Sequence, residues 1–146
     1  MKTNYSNLMQ SKYFSPAFNS AIFDGPLRIY FAQFHESFAL KIYFLLQNKF
    51  QDELMRAKEI SKNSHSSIFV MVYPTQDHFT LSFDSAENNM EPIIEEKWNQ
   101  DLVIGLRKPL EDEQMELLSA QFKKSLALWL DINAANEETK GQVASL

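Results

Sequence analysis

One stripe of apolar residues does more than any other feature to limit how this chain folds. Phe38, Ile42, Leu46, Phe50, Leu54, Ala57 and Ile60 recur at steps of four and three. That spacing puts every one of them on the same side of an α-helix. The pattern runs from Phe34 to about Ser61, which predicts a helix of roughly 42 Å at 1.5 Å per residue. The first half also carries Ala39, Leu40, Tyr43, Phe44 and Leu45, so it is apolar nearly all round. The second half, NKFQDELMRAKEISK, is apolar on one side only. A rival pattern shares the first half. Phe38, Leu40, Ile42, Phe44 and Leu46 also alternate, as a strand hairpinned through His35-Glu36 would. The strong helix formers after 47 favour the helix.

Strand-period segments flank this stripe. LRIYFA at 27–32 puts Leu27, Ile29 and Phe31 on one face and Arg28 and Tyr30 on the other. The turn-rich triplet Asp24-Gly25-Pro26 precedes it. SSIFVMVYP is apolar on both faces, as a central strand would be. After Pro74-Thr75-Gln76 the chain alternates again, with Phe79, Leu81 and Phe83 against His78, Thr80, Ser82 and Asp84. That predicts a strand over 77–84, hairpinned to the one before it. In AENNMEPIIEEKWNQ, Asn89 and Pro92 suit the start of a short helix. DLVIGL reads as a fourth strand. A closing helix then carries Glu111, Asp112 and Glu113 in its first turn, and Met115, Leu118, Phe122, Leu126 and Trp129 as its buried stripe.

The order of these segments predicts an α+β fold. Its expected form is a two-layer domain, with a mainly antiparallel sheet of about four strands against one long and one C-terminal helix. Residues 1–22, polar with scattered aromatics, read as a flexible or wrapping arm. Residues 23–133 read as a single domain, and 134–146 as a disordered tail.

Composition narrows the chemistry. The 146 residues include no cysteine. That removes disulfides, thiolate nucleophiles and Cys-ligated metal sites, and makes a cytoplasmic setting natural. Three glycines leave little material for phosphate-cradling loops, and no GxxxxGK[ST], GxGxxG or GxSxG occurs. The N-terminus lacks a continuous apolar h-region, and the strongest apolar run, IYFLL, is far shorter than the ~20 residues of a membrane span. Net charge is −5, against general nucleic-acid binding. The negative charge concentrates at 84–101, where Asp84, Glu87, Glu91, Glu95, Glu96 and Asp101 face only Lys97.

Few residues form a catalytic constellation. His35-Glu36 stands before the apolar run, but a zinc-protease helix needs a second His four residues on, and position 39 is Ala. The pair could serve as acid and base with Asp24 at the start of the same strand. Adjacent helical residues point about 100° apart, so the bland reading is a polar turn capped by Ser37 or its neighbours. His65 and His78 fall at opposite ends of the expected hairpin, too far apart to share a metal ion. The acidic run lacks the spacing of a calcium loop. No cofactor or metal is expected.

Three functional expectations follow. The first is a soluble, non-catalytic interaction or regulatory module that self-associates through the surplus apolar helix face, at Leu40, Phe44 and Leu45. The second is a small-ligand domain or enzyme with a polar site at His35, Glu36 and Asp24. The third is an adaptor or chaperone-like subunit, docking a basic partner through Trp98, Glu95 and Glu96. The expected partner is protein, with neither nucleic acid nor membrane involved.

Overall fold

A computed structural model describes residues 8–83, 91–107 and 109–144. Strands β1 (Ser20–Asp24) and β2 (Leu27–Phe31) form a hairpin closed by Gly25-Pro26. Gly25 takes φ +61°, the left-handed conformation the tight turn needs and an L side chain resists. A 3-10 turn, Gln33–His35, leads into helix α1 (Glu36–Lys49), followed by α2 (Gln51–Ser64). Strand β3 (Ile68–Val72), helix α3 (Gln76–Ser82), strands β4 (Ile93–Trp98) and β5 (Asp101–Leu106), and helix α4 (Asp112–Ala144) complete the chain.

The fold is α+β, and its sheet is mixed, with five strands in the order β1-β2-β3-β5-β4. The outer pairs are antiparallel hairpins; the central pairs β2-β3 and β3-β5 are parallel. The expected mainly antiparallel sheet of four strands is corrected on both counts. Parallel neighbours need crossover connections, and the 36–64 helices supply the one between β2 and β3. Two strands are absent from the sequence reading: β1, whose SAIFD straddles the end of the polar arm at 22, and β4, read there as part of a short helix.

The long helical stripe is helical throughout, but not in one piece. Phe50 leaves helical geometry (φ −125°, ψ 35°) between two helices of 14 residues each. One straight 42 Å rod would overrun a sheet whose strands span about 17–20 Å. Breaking at Phe50 keeps both halves over the sheet, and turns the Phe50 ring onto Phe122 of α4 at 5.4 Å. Ser37 is not a cap, because α1 begins at Glu36 without a side-chain capping bond.

Both faces of the sheet are covered, giving three layers in place of the expected two. On one, Leu27, Ile29, Ile68, Val70, Leu102 and Ile104 pack under α1, α2 and α4. On the other, Tyr30, Phe69, Met71, Tyr73 and Val103 pack under Leu8, Tyr13 and Phe18 of the N-terminal segment and under Phe79 and Phe83. The double-sided β3 is thus central and wholly buried.

Two expected elements differ in kind. Residues 76–82 form a helix, not a strand. Thr75 caps it, its hydroxyl accepting from the His78 N–H, and Phe79 and Phe83, four apart, share its inner side. Leu81, read as inward, is 78% exposed. IIEEKW, read as part of a short helix, is strand β4; the capping role given to Asn89 lies outside the described residues. Its hairpin to β5 turns at Asn99-Gln100, with Asn99 in the left-handed region at φ 58°. At the C-terminus α4 continues through Ala144, where composition reads as a tail from 134.

Candidate functional site

The polar residues singled out at the start of the helix do not converge. Asp24 sits at the turn end of the β1-β2 hairpin, whereas His35 and Glu36 follow the far end of β2, about 13 Å of strand away. Asp24 is a structural hub. It accepts hydrogen bonds from Tyr43 Oη (2.8 Å) and Gln47 Nε2 and pairs with Lys58 Nζ (2.8 Å), tying β1 to α1 and α2. Burial raises its carboxyl pKa, but the Lys58, Tyr43 and Gln47 contacts outweigh that and hold it below the ordinary value. The same contact raises the Tyr43 phenol, since ionising it beside Asp24 is unfavourable.

His35 is half-buried with its ring against Phe34 at 4.3 Å, and burial lowers its pKa. Glu36 is exposed. With Leu40 it borders a cavity of about 310 Å³ along the β1 edge, whose lining does not include His35. Among the described residues no group of three or more His, Asp or Glu could hold a metal ion. His78 stands on α3 beside Ser15, at the opposite end of β3 from His65. No strand hairpin separates the two histidines; β3 itself does.

The acidic pair on β4 is divided by the pleat. Glu95 faces α4, accepting from Gln121 Nε2 and Ser125 Oγ. Glu96 faces the N-terminal segment, accepting from Tyr13 Oη at 2.6 Å and pairing with Lys12 at 3.3 Å. Trp98 shares the Glu96 face, its ring near Tyr13 and Phe69. These three residues hold the layers together and do not present one acidic surface.

The apolar residues of α1 divide similarly. Leu45 packs against the core, whereas Phe44 is 57% and Leu40 38% exposed. Phe34, just before the helix, is 76% exposed. A second apolar feature was not visible in the sequence: a groove of about 700 Å³ where the α1-α2 junction faces α4. Buried Phe50, Leu126 and Leu130 line its depth. Two of the residues α4 presents there, Ala120 and Ala127, are small and lie seven apart, on one side of the helix, which helps to leave the space open. Ser119 Oγ, buried without a hydrogen-bond partner, adds a polar point. The rim has both signs, with Lys49 and Glu53 on one wall and Glu116 and Lys123 on the other. Sequence reading could have found the α4 side from the alanine spacing; the opposite wall exists only because the chain breaks at Phe50.

Comparisons with protein-family models, curated proteins and solved structures return no match to this chain. Among the described residues no helix is long and apolar enough to cross a membrane.

Proposed function

We propose that this chain is a non-catalytic association module that pairs with a second copy of itself through the outer side of its helical layer. The observation carrying this reading is the apolar groove between the α1-α2 junction and α4. A concave apolar surface of this size is costly to leave against water and is a common mark of a binding site. Its rim supports a copy of the chain as the occupant. A two-fold interface must be complementary to itself, and a rim with one Lys and one Glu on each wall can meet that demand. Phe44 and Leu40, exposed on α1, would extend the apolar contact. The absence of cysteine suits a cytoplasmic setting, where such a module needs no disulfide.

Substitution separates the two apolar surfaces. Ala127→Arg fills the groove from an exposed position, so the chain is expected to fold unchanged yet lose its pairing. Phe44→Lys is expected to weaken pairing less, because it acts at the margin. Size-exclusion chromatography with light scattering reads both. Pairing unchanged in both folded variants contradicts the assignment.

A further inference from the structure

We propose that a second, polar cavity beneath the β4-β5 turn binds a small organic ammonium group, with the Asp101 carboxylate as counter-ion and Trp98 as an aromatic wall. The cavity measures about 230 Å³ and is bordered by Trp98, Gln100, Asp101 and the Ser64-His65-Ser66 stretch that leads from α2 to β3. Trp98 and Asp101 are directly paired across the hairpin, so their side chains leave the same face of the sheet about 5 Å apart.

Asp101 is the unusual member. It is only 8% exposed, yet one carboxylate oxygen alone is engaged: Oδ1 accepts from the Ser67 N–H at 2.6 Å. Among the described residues its other oxygen has no hydrogen-bond or ion-pair partner; that oxygen is not one of the fully buried unpartnered atoms and so keeps some access to water, and Asp101 lines the cavity. Arg28 acts on Asp101 only through its field, with its guanidinium seated 4.8 Å from the Phe23 ring centroid. Most of this side chain is withdrawn from water, which disfavours its charge, and a cation in the adjoining space would offset that.

The geometry selects the cation. A metal ion needs several ligating groups, and the described residues offer no cluster of three His, Asp or Glu. A guanidinium binds best as a fork across both carboxylate oxygens, and here one of them already accepts from the Ser67 N–H, which disfavours that geometry. An ammonium needs a single oxygen for one N–H, and its remaining donors can reach the serine hydroxyls or the Gln100 amide oxygen. The indole ring beside it adds cation–π attraction. The cavity lies below the ~300 Å³ of ordinary ligand pockets, so it suits a small head group.

The test is titration of the full chain with n-propylammonium at fixed pH and ionic strength, following the Trp98 indole N–H by NMR, assigned by its loss in Trp98→Phe. A saturable shift is expected with n-propylammonium and not with n-propanol, sodium or guanidinium. Asp101→Asn, which keeps an acceptor for Ser67, is expected to weaken binding by at least about tenfold, as loss of a charged hydrogen-bond partner does. Equal shifts from propanol or sodium overturn the proposal, and so does unchanged binding by folded Asp101→Asn. The ligand comparison uses the wild-type chain, so it stands even if the variant fails to fold. Adding Nα-acetyl-lysine amide distinguishes the source: tighter binding than propylammonium indicates a lysine side chain, weaker binding a free small amine.

Discussion

Two aspartates show how the same side chain takes opposite roles according to its partners. Asp24 holds a cation and two neutral donors, and its folded pKa lies below the ordinary 3.8. Its ionised form therefore stabilises the fold at and above that value, and the contribution disappears as pH falls through the folded pKa. Asp24→Asn is expected to cost about 1–2 kcal/mol at neutral pH in a denaturant titration. A cost near zero would mean that Tyr43, Gln47 and Lys58 are not held by the charge. Asp101 is the reverse case. Burial pushes its pKa up to about 6, against the Ser67 hydrogen bond and the Arg28 field, which pull it down. The folded chain then holds a proton between pH 3.8 and about 6 that the unfolded chain has released. Stability is therefore expected to fall as pH rises across that window, by up to about 3 kcal/mol at 1.36 kcal/mol per pKa unit. Unfolding of Asp101→Asn should lack this decline, and an identical pH slope in both proteins would contradict the burial argument.

At the level of elements, α3 ties the distal face of the sheet together through one close approach. Phe83 lies against Gly105 of β5, where an added Cβ would come within 2.3 Å of the ring. Gly105→Ala is therefore expected to destabilise the fold by about 1–3 kcal/mol through overpacking. A neutral result would mean that the ring moves freely. The elements also show which signals were legible in the sequence. Periodicity located β2, β3, β5 and both long helices, because each buries a regular face whose spacing survives in the residue order. It failed at 76–82, where Phe79 and Phe83 satisfy a two-residue and a four-residue period equally well. There the capping residue Thr75 was the deciding signal. At β4 the acidic residues looked like a solvated helix face, yet Glu95 and Glu96 have partners on opposite sides of the sheet. Those partners come from α4 and the N-terminal segment, at sequence distances no local pattern reports. The groove was hidden for the same reason, since its two walls meet only in the folded chain.

Across the whole molecule, the N-terminal segment and the helical layer divide the work of covering a sheet that is buried on both faces. Leu8, Tyr13 and Phe18 close the distal side over Tyr30, Phe69 and Tyr73, and Tyr73 Oη donates to the Tyr13 carbonyl at 2.8 Å. Removing residues 1–18 would expose those aromatics and is expected to abolish cooperative unfolding. A truncated chain with an unchanged thermal transition would show that this cover is dispensable. Among the described residues, the groove on the helical side is a broad apolar concavity, and the proposed association rests on it. The most direct measurement of the association reading is solution mass by light scattering across a dilution series of the wild-type chain. A mass near twice 17.0 kDa that falls towards one chain on dilution is the expected result. A single-chain mass at every concentration would contradict it.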